Sequence, residues 1–157
     1  MPRPRSSSAL LLASPILAVA VWLAVAGDVV QAQPAADDTP ATAVEPTRLA
    51  VVWTSNDADV AHRMALMYTG AAARQGWFDE VQLIVWGPSQ KLVVADKDVR
   101  AAVDRLRESG VDVVACLACA DTFGIAEDLR EAGLDVRYMG RPLTGYLKSP
   151  DWAVMTY

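Results

Sequence analysis

Cys116 and Cys119 are the only two cysteines of the chain, and both lie in the run Cys116-Leu117-Ala118-Cys119-Ala120-Asp121. A thiol that closes a strand and opens a helix meets the free N–H groups of the helix start, which stabilise its thiolate. Thiolate is the form that attacks sulfur and can store a persulfide. Cys116 is therefore expected at a loop mouth, reacting faster than Cys119, which lies further into the helical turn. Three plainer readings stand beside this one. Both cysteines could be small buried hydrophobes. They could form a C-x-x-C disulfide, which suits an exported protein although so short a loop constrains the unfolded chain little. Zinc is the weakest, because a closed site needs four ligands and the chain offers two Cys and one His.

The elements that would hold such a thiol are legible as apolar runs. Leu49-Ala50-Val51-Val52-Trp53 is followed by the polar Thr54-Ser55-Asn56-Asp57, as expected of a strand buried on both faces that ends in a loop. Val81 to Trp86, Val111 to Ala115, Leu134 to Met139 and Trp152 to Tyr157 repeat the pattern. Between the first two, Asp57 or Asn56 can cap a helix with Val60, Met64, Met67 and Tyr68 on one face, ending at Gly76. Val99, Val103 and Leu106 set the face of another, which stops at Gly110. Strands alternating with helices imply βαβ units and a parallel sheet covered on both faces. Ligands on such sheets gather at the carboxyl ends of the strands, here Thr54 to Asp57, Gly87 to Gln90, Cys116 to Asp121, and Gly140 to Thr144.

These loops supply the other candidates. Ser55, Asn56, Gly87, Ser89 and Gly140 are expected to contact substrate, and Trp86, ending its strand beside Gly87, could form a site wall. Asp121 could accept a proton in the site, but capping the short helix after Cys116 is its expected role. Trp53, Trp77 and Trp152 are expected in the core or at subunit contacts, and His62 reads as an ordinary helix residue. No phosphate-binding glycine pattern and no Ser/His/Asp arrangement is present, so the sequence calls for no cofactor and no metal.

Composition bounds the partners. The chain has 157 residues, 53% hydrophobic and 21% charged, enough for one domain and too short for two good cores. Its formal charge is −5, and with no basic stripe it does not suit a nucleic-acid backbone. Arg3 and Arg5 precede an apolar run from Ala9 to Gly27, and Val30-Gln31-Ala32 offers a cleavage site, so residues 1–32 read as a signal peptide and the mature protein as periplasmic or secreted. An uncleaved anchor through residues 9–27 is the alternative, and the one route by which the chain would meet a membrane. Residues 33–47 are Pro, Ala, Asp and Thr with almost nothing to bury, and read as a disordered linker before a domain over 48–157.

The domain resembles the DsrE/DsrF-like family, which includes the TusD-type sulfur-relay subunits. The resemblance rests on Val52-Trp53-Thr54-Ser55, on Trp86-Gly87-Pro88-Ser89, on Ala115 to Asp121 with Gly124 following, and on Tyr138-Met139-Gly140-Arg141-Pro142-Leu143-Thr144. It implies a three-layer α/β/α sandwich with a mainly parallel five-stranded sheet, assembled into homo-oligomers. It also implies that the cysteine after the third strand, matched by Cys116 with Gly124 eight positions on, carries sulfur as a persulfide. Cys119 has counterparts in a subset of members. The partners implied are a sulfur donor or acceptor, protein or small thiol, which makes the chain a candidate sulfurtransferase. Two other functions fit the same residues: a thiol/disulfide redox protein using both cysteines, and a non-catalytic binding module.

Overall fold

The computed structural model describes residues 45–157. The signal segment 1–32 and residues 33–44 of the linker lie outside the described residues. Five strands form one sheet: β1 (Arg48–Trp53), β2 (Glu80–Val85), β3 (Asp112–Cys116), β4 (Asp135–Arg137) and β5 (Trp152–Thr156). The order across the sheet is β4-β3-β2-β1-β5, and all four pairings are parallel.

The order decides which face each helix covers. From β1 to β4 the chain steps across the sheet in one direction, and right-handed crossovers then place the connecting helices on one face. The return from β4 to β5 runs the other way and places its helix, α7 (Gly140–Lys148), on the opposite face. Two apolar clusters match these faces. The larger takes Leu49, Val51 and Trp53 of β1, Leu83 and Val85 of β2 and Val113 and Ala115 of β3, with α-helical residues such as Val93, Val103 and Leu129. The smaller takes the alternate residues Ala50, Val52, Ile84, Val114 and Cys116 with Met139, and Leu143 and Tyr146 of α7 pack on it.

The first crossover departs from its expected pattern. Asp57 caps it as expected, its Oδ1 accepting from Asp59 N at 2.8 Å and Val60 N at 3.0 Å. Between α1 (Ala58–Val60) and α2 (Leu66–Gln75), however, Ala61–Ala65 is wound as a π-helix. The wider turn rotates the following residues out of an ideal helical phase. Ala61, Ala65 and Leu66 are consequently buried, while Met64 and Met67, expected on the packed face, are 47% and 59% exposed. Gly70 lets α2 lie close to α4 (Lys97–Glu108), since a Cβ there would meet Leu106 Cδ2 at 3.0 Å. Asp96 caps α4, and its carboxyl is held below the ordinary carboxylate range by the N–H groups of Val99 and Asp98.

The fourth strand is also shorter than its apolar run. Gly140 to Thr144, expected as a strand-end loop, opens α7. Pro142 falls in the first turn, where backbone N–H groups have no helical partner, so its missing donor costs nothing there.

The packed face of the first crossover can be checked residue by residue. Leu66→Ala should lower unfolding free energy by about 2–5 kcal/mol, whereas Met64→Ala and Met67→Ala should each stay within about 0.5 kcal/mol of the parent. Urea denaturation followed by circular dichroism gives all three values, and a larger loss at either methionine would contradict the observed winding.

Candidate functional site

The carboxyl ends of β1, β2 and β3 are tied together by the first turn of α3 (Ser89–Ala95). Ser89 and Gln90 are both fully buried. The Ser89 hydroxyl lies 2.6 Å from the Trp53 carbonyl and 3.1 Å from that of Trp86. Gln90 Nε2 donates to Val85 O at 3.1 Å and to Cys116 O at 2.9 Å, bridging β2 and β3 where their pairing ends at Val85 and Ala115. Two carbonyl acceptors fix the orientation of that amide, since its oxygen could bond to neither. Gln90 was not among the residues picked from sequence. The available signal was its place in the first turn of an element that follows Pro88 and continues as Leu92-Val93, a polar side chain beside the strand ends.

Cys116 is both the last residue of β3 and the N-cap of α5 (Leu117–Phe123). Its side chain differs from expectation in two ways. It is 2% exposed, not at an open loop mouth, because strand alternation points it into the smaller cluster with Ile84, Val114 and Met139. Its sulfur accepts no capping hydrogen bond from the N–H groups of α5.

Cys119, one turn on, is the more accessible of the two thiols and packs against the same cluster, as Trp86 does. Both cysteines are free. Burial pushes the Cys119 thiol above its ordinary value, the Gly87 N–H that reaches its sulfur acts the other way, and contact with Cys116 raises it again. Gly87 can present that N–H because it sits at φ +65°, a left-handed conformation that side chains with a Cβ resist.

The remaining candidates divide. Trp86, Gly87, Cys116 and Cys119 come together. The hydroxyl of Ser89 is occupied by main-chain carbonyls beneath them. Ser55 accepts from Asp57 N at 3.2 Å and shapes the turn before α1, while Asn56, Asp121 and Gly140 are exposed at the same end of the sheet. Asp121 is inside α5 and does not cap it, since Cys116 holds that position. His62 is exposed and lines a groove of about 300 Å³ between α2 and α4, on the face opposite the thiols. Of the tryptophans, Trp53 is fully buried, Trp152 stacks on Tyr146 at 4.0 Å, and Trp77 is 55% exposed. Among the described residues no group of three His, Cys, Asp or Glu could hold a metal ion, and no helix is long and apolar enough to cross a membrane.

Residues 47–156 match the profile of the DsrE/DsrF-like family. The chain belongs to that family. Membership suggests sulfur relay with partner proteins at the level of the family as a whole. A conserved protein of unknown function from Bacteroides thetaiotaomicron is 34% identical, with a TM-score of 0.66 over 71% of this chain and 95% of that one. The YchN protein of E. coli is 16% identical with a TM-score of 0.54, over 71% of this chain and 99% of its own, and shares the fold. No curated protein matches the chain. The three-layer DsrE-like arrangement of helices on both sides of a five-stranded sheet is thus the one expected, with every pairing parallel.

The raised Cys119 thiol has a definite pH signature. A thiol whose pKa is higher folded than unfolded adds stability below the unfolded value, about 8.5, and loses it as pH rises through the folded value. The alkylation rate of Cys119 by iodoacetamide, read by peptide mass, should therefore keep climbing above about pH 8.5. A plateau reached below that pH would contradict the burial of this sulfur.

Proposed function

We propose that this protein is an exported persulfide sulfur carrier that works as a homo-oligomer, taking sulfur at the Cys116–Cys119 pair from a donor protein or a small thiol. The observation that carries the reading is the pair itself: two free thiols at the carboxyl end of β3, one on the last residue of the strand and the other, more accessible, a turn further on in α5. Strand carboxyl ends are where α/β sheets place reactive groups, and an N–H donor at sulfur favours the charged form that attacks a persulfide. Family membership supports the same chemistry. The transfer is R–S–SH + protein–SH → R–SH + protein–S–SH, which needs no cofactor. Export rests on the sequence of residues 1–32. Self-association is supported by the exposed Met64, Met67 and Trp77. Two free thiols one helical turn apart also favour a second reading, reversible disulfide exchange at the same pair.

Incubating the reduced full chain with a small persulfide should add the mass of one sulfur atom within the early phase of the reaction. Replacing both cysteines, Cys116→Ser with Cys119→Ser, should abolish that gain. Equal uptake by the double variant, or none by the parent, would overturn the carrier reading.

A further inference from the structure

The groove between α2 and α4 brings together an apolar floor and unpaired positive charge. Leu66 and Leu106 floor it, both buried, and the exposed Met67 stands beside them. Arg74, Arg105 and His62 complete the lining on the polar side, and no Asp or Glu lines it. Other arginines of the chain have partners: Arg48, Arg63, Arg107, Arg130 and Arg137 each face a carboxylate at 2.8–3.5 Å. Arg100 donates to the Val93 and Val94 carbonyls. Among the described residues Arg74, Arg105 and Arg141 have no such partner, and the first two line this one groove, in a chain whose formal charge is −5. Arg74 also folds back along α2, as helical side chains do. A Cβ built on Gly70 would meet its Nη1 at 2.8 Å and Leu106 Cδ2 at 3.0 Å, so the guanidinium lies close to the leucine of the floor.

We infer that this groove is a binding site for a small carboxylate with an apolar body, of the size of a medium-chain fatty acid. Two guanidiniums present planar forks of N–H donors, the geometry that matches a carboxylate. The apolar body lies over Leu66 and Leu106, and the unbranched, flexible side chain of Met67 adapts to its shape. Neither half suffices alone. Ion pairs at exposed guanidiniums are weak in water, and an open apolar floor holds a neutral molecule only by the area it covers. The volume of about 300 Å³ stands at the small end of ligand sites, which run from roughly 300 to 1,000 Å³, and so fits one small molecule. Met64 and Trp77 do not line the groove and remain available to a neighbouring copy. The site owes nothing to the cysteines and stands whether or not they carry sulfur.

Titrating the full chain, its methionine methyls labelled with carbon-13, with octanoate tests this by nuclear magnetic resonance. The Met67 methyl should move saturably, while Met139 and Met155, packed in the two apolar clusters, hold still. Replacing both arginines, Arg74→Gln with Arg105→Gln, should weaken binding about tenfold. Both side chains are exposed, so the fold should survive the change, and unmoved Met139 and Met155 signals confirm it in the same spectrum. Butyrate should bind more weakly than octanoate, by up to about fourfold for each methylene removed, and octanol, which lacks the charge, should bind about as weakly as octanoate binds the double variant. Inorganic phosphate at equal concentration should not displace octanoate. A Met67 methyl that octanoate leaves unmoved, equal binding by the double variant, or equal binding of octanol would overturn the proposal. Displacement by phosphate would make the groove a bare anion site and overturn it too, as would a Met67 signal that shifts with protein concentration and not with octanoate, which would put a second copy of the chain on the groove.

Discussion

A buried carboxamide holds the reactive end of this protein in shape. Parallel strands lose their ladder where they end, and their last carbonyls need partners if they are not to meet water. Gln90 supplies one donor group to two of them, Val85 O and Cys116 O, and Ser89 next to it serves the Trp53 and Trp86 carbonyls. Leaving such a carbonyl buried without a donor costs about 1–3 kcal/mol. The first turn of α3 thereby sets where β1, β2 and β3 stop relative to one another. That fixes the peptide of Cys116, and strand alternation then sends its side chain to the α7 side of the sheet, away from the many helices of the other face.

Chemistry at this site follows from a conflict between burial and reactivity. Burial disfavours a thiolate, which is the reactive species. Cys119 meets the conflict part-way, partly exposed and supplied with the Gly87 N–H, its pKa nonetheless raised. Cys116 lies fully on the buried side, within the smaller apolar cluster. Gly87 connects this chemistry to the strand-end latch, because it precedes the turn that delivers Ser89 and Gln90 and turns its N–H back towards α5.

Much of the fold was legible because burial on both faces leaves continuous apolar runs, from which the five strands and their parallel arrangement follow once helical faces are read between them. The limits came from features without a periodic signature. A π-helical stretch at Ala61–Ala65 shifted the packed face so that Met64 and Met67 turned outwards. Pro142, read as a loop residue, was the first turn of α7. At the site, the positions of Cys116, Cys119, Trp86 and Gly87 were readable, since strand ends can be located from the runs. The relative burial of the two thiols was not, because it depends on which face Cys116 takes, and a continuous apolar run does not mark its faces. Gln90 was missed for a related reason: its role lies in two carbonyls from other strands, which no local pattern displays.

The account stands on extra sulfur passing through the Cys116–Cys119 pair in the protein as it works. The most direct measurement is rapid alkylation of the protein at the moment its native compartment is opened, followed by mass analysis of the peptide that spans both cysteines. Some of that peptide should carry one sulfur atom more than its alkylated thiols account for, and the excess should disappear when a reductant precedes the alkylating agent. If every copy carries only plainly alkylated thiols or a simple disulfide, with no extra sulfur at any moment of sampling, the pair does not carry sulfur and the account is wrong.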